Sequence, residues 1–228
     1  MKQNKKINHI AIVCDGNRRY AKKIGIRQLK GHEKGYNKIT ELLKWCVELK
    51  IKEVTLYCFS TENFNRHKIE IKYLFKLFRN KIKEFKKNKT IHDNKVKVSF
   101  IGRLSMFPKD MQKSMYEIMD LTKNYNNYKL NLALAYGSRS ELVDTFQKLL
   151  NKGIKKVDEK IISKNLYVPE NVDIFIRPGG EKRLSNFLLW QSSYAELFFT
   201  EKLWTEFTKE DLIDIINEYK IRERRFGE

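Results

Sequence analysis

Six short apolar runs punctuate the chain: His9–Cys14, Glu53–Phe59, Lys95–Ile101, Leu130–Ala135, Val172–Ile176 and Glu196–Phe199. They are rich in β-branched and aromatic residues, and several are apolar on consecutive positions, as expected of parallel strands covered on both faces. Between them the apolar period changes to three and four. Tyr36, Ile39, Leu42, Leu43, Cys46 and Val47 share one helical face, as do Ile71, Leu74, Phe75, Phe78, Ile82 and Phe85. The spacing predicts helices over 33–49 and 67–88. Pro108 suits the first turn of a helix running to about Tyr125, Ser138 is placed to cap the helix after the fourth strand, and a last helix covers about Thr208 to Lys220. This alternation predicts an α/β fold with a mostly parallel, six-stranded sheet flanked by helices. No Pro-, Gly- or Ser-rich linker and no internal repeat divides the 228 residues, which read as a single domain, 1–228.

Composition adds an electrostatic expectation. Lys and Arg number 47 against 28 Asp and Glu, a formal net charge of +19. Such a balance fits an anionic partner (nucleic acid, a membrane surface or a phosphorylated substrate), or simply a lysine-rich solvated surface. The three cysteines, Cys14, Cys46 and Cys58, lie in apolar segments without CxxC spacing and read as reduced thiols of a cytoplasmic protein. The first apolar run is too short for a signal peptide and ends at Asp15, and no stretch approaches the roughly 20 apolar residues of a membrane helix. The reading is a soluble protein, with contact at a membrane surface left open.

In parallel sheets ligands bind beyond the carboxyl ends of the strands, so the segments that follow the strands carry the chemistry. After the first strand comes Asp15-Gly16-Asn17-Arg18-Arg19-Tyr20. Gly16 permits a positive φ or close backbone approach, and the N–H groups of a starting helix together with Arg18 and Arg19 suit a diphosphate. Asp15 beside phosphates makes sense with a Mg²⁺ between them, although Asp15 and Asn17 also read as turn and cap residues. After the second strand come Ser60, Thr61, Glu62, Asn63, Phe64, Asn65 and Arg66. After the fifth comes Arg177-Pro178-Gly179-Gly180-Glu181-Lys182-Arg183-Leu184-Ser185-Asn186, an anion cradle or an ordinary Pro-Gly turn. Glu196 opens the sixth strand in an apolar setting and wants a partner, either a salt-bridging cation or a metal. GxxxxGK[ST], a GxGxxG after the first strand and GxSxG are absent, and the four histidines do not pair at metal-ligand spacing.

Taken in order, these segments resemble the motifs of the cis-prenyltransferases, the family that includes undecaprenyl and dehydrodolichyl diphosphate synthases. The matching strings are 15–20, Gly31-His32, 59–66, Arg177-x-Gly179-Gly180-Glu181-x-Arg183-x-Ser185 through Gln191, Tyr194-Ala195-Glu196-Leu197, and the tail Arg225-Phe226-Gly227; the resemblance as a whole runs from about residue 9 to 227. The resemblance implies a Mg²⁺-dependent enzyme that extends an allylic prenyl diphosphate with isopentenyl diphosphate in the Z configuration. The product would be a long polyprenyl diphosphate, precursor of a lipid glycosyl carrier, grown in a hydrophobic tunnel of a homodimer or related dimer. It implies Asp15 at the Mg²⁺–diphosphate centre, with Glu196 as a second metal carboxylate. Gly16, Asn17, Arg18, Arg19 and His32 would hold the allylic diphosphate, with Tyr20, Ser60, Thr61, Glu62, Phe64 and Arg66 lining that region and Asn63 near the proton transfer. Arg177, Arg183, Leu184 and Ser185, completed by Arg225 and Gly227, would bind isopentenyl diphosphate. The chain departs from the common bacterial pattern with Arg18 for Gly, Tyr20 and Phe64 for Trp, Gln28 for Arg (Arg27 stands one residue earlier) and Pro178 for Thr. The Arg18, Tyr20 and Phe64 variants resemble the archaeal and eukaryotic branch.

Two rival readings follow from the same residues. A basic nucleic-acid-binding protein fits the charge but leaves Asp15, Glu196 and the double glycine without a purpose. A catalytically silent partner subunit would have no need to keep Asp15, Asn63, Arg183 and Glu196. A trans-prenyltransferase is disfavoured, because no adjacent pair of aspartates is present. The expectation is therefore an enzyme with prenyl diphosphate substrates, peripheral contact with the membrane at most, and no nucleic acid.

Overall fold

The computed structural model describes residues 6–222. Its six strands are β1 (His9–Val13), β2 (Glu53–Ser60), β3 (Val96–Ile101), β4 (Tyr128–Tyr136), β5 (Ile174–Pro178) and β6 (Glu196–Thr200). They form one sheet in the order β3-β4-β2-β1-β5-β6, with every pairing parallel. The helices are α1 (Asn17–Lys23), α2 (Gln28–Glu48), α3 (Lys68–Phe85), α4 (Lys89–Asp93), α5 (Lys109–Leu121), α6 (Ser138–Asn151), α7 (Glu159–Asn165) and α8 (Lys209–Ile221). The predicted strands all form, with ends shifted by a few residues. Val172 and Asp173 stop short of β5 because the Asp173 carboxylate accepts the backbone N–H groups of Asn8 and His9, at 2.7 and 3.0 Å, and so pins the entry to β1.

The periodic helix faces bury as their spacing requires. Ile39, Leu42, Leu43 and Cys46 of α2 and Leu74, Phe78, Ile82 and Phe85 of α3 pack with Ile10, Ile12, Val54 and Leu56 in one core, which also takes in α5 and α8. A smaller core on the opposite face joins Ala11, Val13, Tyr57, Ala133 and Tyr136 to Val168, Val172, Phe187 and Leu188. Two helix starts differ from expectation. Pro108 is the cap residue ahead of α5 rather than part of its first turn. Gly137, not Ser138, precedes α6; Ser138 is buried, and its Oγ accepts the Leu189 N–H at 3.1 Å because the loop after β5 packs there.

Strand order places the site. From β1 the chain crosses to β2 on one side, and later, after β4, it crosses to β5 on the other side of β1. The crevice of such a sheet opens where the order reverses, here above the carboxyl ends of β1 and β5. Two glycines on α2 let α1 lie against it: a Cβ on Gly31 would stand 2.1 Å from the Asn17 carbonyl oxygen, and one on Gly35 2.1 Å from Asn17 Oδ1. No helix among the described residues is long and apolar enough to cross a membrane.

Candidate active site

The crevice is a cavity of about 800 Å³. Its floor is the end of β1 and β2 (Val13, Cys14, Tyr57, Cys58, Phe59), its sides α2 and the loop after β5. Arg177, at the end of β5 and only 4% exposed, organises it. Its Nη2 donates to Asp15 Oδ2 at 2.9 Å, and its Nη1 to Ser185 Oγ at 2.7 Å and to the Arg183 carbonyl at 3.0 Å. One buried guanidinium thus ties the segment after β1 to the loop after β5. Arg19 adds a second tie: its Nη1 donates to the Gly179 carbonyl at 2.5 Å, and its Nη2 stands 3.4 Å from Asp15 Oδ1. Gly179 has φ +101°, and a Cβ there would meet Arg19 Nη2 at 2.7 Å, so glycine is required by both conformation and space.

On the α2 side a second cationic group forms around Glu70, which the sequence did not single out. Its carboxylate accepts from Arg66 Nη1 at 3.1 Å, lies 3.2 Å from His32 Nε2 and stands 3.6 Å from Arg18 Nη1. Burial and then the Arg66 charge hold His32 below its ordinary pKa, against the opposing pull of Glu70. Ser60 precedes the 3-10 turn over Thr61–Asn65, and its N–H donates to Asn63 Oδ1 at 3.1 Å. Burial opposes ionisation of Glu62, but its own backbone N–H and the side chains of Ser60, Thr61 and Asn186 outweigh it and keep the carboxyl below the usual range. Phe64 sits in an aromatic group with Phe59, Phe75 and Phe107.

Half of the predicted residues converge on the cavity, while Arg18, Arg19, Thr61 and Phe64 do not line it. Asp15, Asn17, His32, Ser60, Glu62, Asn63, Arg66, Arg177, Leu184 and Ser185 line the cavity. Gly16 holds φ +95° at its edge, where a Cβ would strike Leu203. Arg183 is at the rim, 2.5 Å from Glu181. Tyr20 is half-buried on α1 and does not line the cavity. Arg225 and Gly227 lie outside the described residues. Arg139, exposed at the start of α6, is a charged lining residue that the sequence reading did not name; Asn186, part of the cradle segment but given no role there, also lines the cavity, and its carbonyl and Oδ1 accept the N–H groups of Ser138 and Arg139 at 2.7 and 2.9 Å. The signal for Arg139 was the Gly137-Ser138-Arg139 string directly after a strand.

Glu196 stands elsewhere. Through the register, Ile10, Ile174 and Glu196 share one level of the sheet. Asp15 is five residues beyond Ile10, on the order of 16 Å along the strands at about 3.3 Å per residue. Within one chain the two carboxylates cannot share a metal ion. Glu196 Oε2 instead meets Arg222 Nη1 at 3.0 Å, the salt-bridge alternative.

Three buried polar atoms around the cavity lack a hydrogen-bond partner: Asn17 Oδ1, Arg177 Nε and the Tyr36 hydroxyl. Unpaired buried polar atoms are costly, and their concentration here marks a place for a polar ligand. Among the described residues no group of three His, Cys, Asp or Glu side chains could hold a metal by itself. One carboxylate among cations fits a Mg²⁺ that arrives with phosphates, since that ion keeps waters and takes few protein ligands. Past Tyr36 and Ile39 the cavity meets a second, apolar one of only about 20 Å³, bounded by Phe78, Ile82, Phe85, Phe100, Leu132 and Leu134.

An all-parallel sheet with a cation-lined crevice at its switch point defines an α/β protein whose crevice suits an anionic ligand. Residues 13–227 match the family model described as putative undecaprenyl diphosphate synthase, and the chain belongs to that family, the cis-prenyltransferases, enzymes that transfer prenyl groups. It is 46% identical, over 96% of its length and 86% of the relative's, to a Pyrococcus horikoshii protein named tritrans,polycis-undecaprenyl-diphosphate synthase (geranylgeranyl-diphosphate specific). Among solved structures it is similar to lavandulyl diphosphate synthase from Lavandula x intermedia in complex with dimethylallyl diphosphate, with TM-score 0.90, 32% identity and coverage of 97% of this chain and 98% of that one. It is also similar to a probable undecaprenyl diphosphate synthase from Campylobacter jejuni, with TM-score 0.82, 34% identity and coverage of 98% and 100%.

Proposed function

We propose that the protein condenses isopentenyl diphosphate with an allylic prenyl diphosphate, dependent on Mg²⁺, to make a long Z-polyprenyl diphosphate that serves as precursor of a lipid glycosyl carrier. The observation that carries this reading is Arg177, whose one guanidinium joins the Asp15 segment to the Ser185 loop and so makes two anion cradles share one cavity. The specificity in the Pyrococcus relative's name supports geranylgeranyl diphosphate as the primer.

In the proposed reaction the allylic diphosphate lies against Asn17, His32, Arg66 and the start of α1, with Arg18 and Arg19 above it. These groups stabilise charge that develops on the departing diphosphate, in an enclosed setting where fixed donors act more strongly than water. Substrate phosphates would take over the cations that Glu70 and Asp15 hold. Asp15 would hold the Mg²⁺, which supplies further neutralisation of diphosphate charge. Arg177, Arg183 and Ser185 fix the acceptor diphosphate, so that its alkene meets the allylic carbon in one orientation. Asn63, fixed by its bond to Ser60 N–H, is placed for the proton that the condensation releases. The growing chain leaves past Tyr36 and Ile39 between α2, α3 and the sheet, where the aromatic side chains must move apart to make a tunnel.

The active unit is proposed to be a homodimer that touches a membrane surface to release product. The test is incubation of purified protein with labelled isopentenyl diphosphate and Mg²⁺, with dimethylallyl, geranyl, farnesyl or geranylgeranyl diphosphate as primer, followed by mass analysis of the products. Long products from geranylgeranyl diphosphate are expected. No incorporation with any primer would remove the reading.

A further inference from the structure

We propose that Cys14 and Cys58, with the Tyr36 hydroxyl beside them, form a two-thiol site for an uncharged trivalent arsenical on the floor of the cavity. The pairing follows from strand register. Val13 is the partner of Tyr57 in the β1–β2 ladder, and Cys14 N–H continues it to the Tyr57 carbonyl at 3.3 Å, so Cys14 and Cys58 are neighbours on adjacent strands. Both side chains pack on the same face of the sheet, against the core beneath α2 and α3. Adjacent strands lie about 4.8 Å apart, which puts two such sulfurs within the span of one bridging atom. Cys58 also falls where the β2–β4 register shifts, between Tyr57 and Phe59, so the β4 ladder does not fix its direction.

The chemistry of the pair selects the ligand. The register sets two sulfurs side by side, and both line the cavity. No third His, Cys, Asp or Glu joins them in a metal-holding group among the described residues, so the pair is a poor site for a divalent metal, which takes more ligands than two. An arsenous compound R–As=O condenses with two neutral thiols instead. Two As–S bonds form, the As–O bonds break, and both thiol protons leave on that oxygen as water. Arsenic stays trivalent, and no oxidant is consumed. The Tyr36 hydroxyl, buried without a hydrogen-bond partner, belongs to a residue that lines the same cavity as both thiols and offers a hydrogen bond to a hydroxyl left on arsenic when the ligand is arsenous acid.

Cys46 does not take part. It is buried under α2 with its thiol pushed up to about 12 by burial alone, and it lines neither cavity. Tyr36, Ile39 and Cys58 line both, so an arsenical on the pair occupies the junction between the polar cavity and the apolar one. On the prenyltransferase reading, it would exclude the prenyl chain; the binding itself does not rest on that reading.

The experiment titrates reduced protein with phenylarsine oxide and reads uptake by intact mass and activity in parallel. One arsenical per chain is expected, released by 2,3-dimercaptopropanol and not by excess monothiol. Cys14→Ala, Cys14→Ser, Cys58→Ala and Cys58→Ser should each bind at least tenfold more weakly, while Cys46→Ala keeps full uptake. Geranylgeranyl diphosphate should slow uptake. Equal uptake by a folded variant lacking Cys14 or Cys58, or none by the reduced wild type, would overturn the site. One-to-one uptake with undiminished turnover would leave the site standing and refute its overlap with the prenyl chain.

Discussion

Arg177 and Asp15 meet at 2.9 Å across the boundary between β1 and β5, one side chain nearly sealed from solvent and the other a third exposed. A buried guanidinium needs its partners, and Arg177 has three besides a free Nε. The pair orients the Asp15 carboxylate toward the cavity. Asp15→Ala should leave the fold intact, since Arg177 keeps Ser185 and the Arg183 carbonyl. It should lower kcat by at least ~10³, the scale of losing a principal electrostatic stabiliser. EDTA should abolish turnover and Mg²⁺ restore it. Full turnover in EDTA would take the metal out of the proposed mechanism.

The two cradles can be told apart kinetically. Arg183, at the rim on the Ser185 loop, should when changed to Ala mainly raise KM for isopentenyl diphosphate. Arg19→Ala should depress allylic binding and kcat together. Steady-state kinetics with each substrate varied in turn decides this, and equal effects of both variants on both substrates would dissolve the two-cradle arrangement.

Arg139 offers a further charged donor on the Asn186 side of the cavity. A hydrogen bond from a charged group contributes about 1.5–3 kcal/mol. Arg139→Ala should therefore raise KM for isopentenyl diphosphate roughly ten- to a hundredfold, at about 1.4 kcal/mol per tenfold. Circular dichroism should show no loss of structure, because the Asn186 bond is to the Arg139 backbone and survives the substitution. An unchanged KM would place the side chain outside the acceptor site.

The strands and the two long helices were legible because apolar period and burial coincide in them, and the motif strings landed beside one another because they all follow strand ends. Partnerships were less legible. Glu70 is an ordinary acidic residue of a helix until α3 brings it against Arg18, His32 and Arg66. The placement of Glu196 needed register, because a strand-opening residue stands at the end of the sheet opposite the cavity. Ser138 looked like a cap because local sequence does not reveal the loop that packs over it.

Stability should depend on pH through His9, which is fully buried at the amino end of β1. Its Nε2 is 2.8 Å from Thr55 Oγ1, its Nδ1 3.2 Å from the Asn171 carbonyl, and Asn131 donates to the same Thr55 oxygen. Nδ1–H donating and Nε2 accepting closes the network with a neutral ring. Desolvation lowers the pKa below 6.5, against smaller opposing contributions from Glu53, Asn171, Glu170 and Asp173. The sign follows: the unfolded chain takes up the proton first, so this contribution is complete above about pH 6.5 and is lost as pH falls through the folded value. His32, also lowered, acts in the same direction. Denaturant midpoints measured from pH 7.5 to 5 should fall, and should fall less steeply in His9→Gln. Parallel curves would mean that His9 carries none of the dependence.

The last prediction concerns residues 223–228, which include Arg225 and Gly227 and follow directly on Arg222. Arg222 is tied to Glu196 and Glu218, and its guanidinium lies 4.0 Å from the Phe198 ring. The chain therefore reaches residue 222 beside the amino end of β6, some 16 Å along the strands from the level of Asp15 by the spacing above. Six extended residues span about 20 Å. Reach alone does not decide between its own cavity and that of a second copy. Mixed dimers distinguish the two. One chain carries Asp15→Ala with its tail intact; the other keeps Asp15 and ends at Arg222, so that the Glu196 pair is retained. Each homodimer should be nearly inactive. If the tail completes the neighbour's acceptor cradle, mixing should restore about half of wild-type activity per mixed dimer, from one site built on the truncated chain and closed by its partner's tail. If the tail serves its own chain, mixing restores nothing. A truncated homodimer with full activity would remove Arg225 and Gly227 from the site altogether.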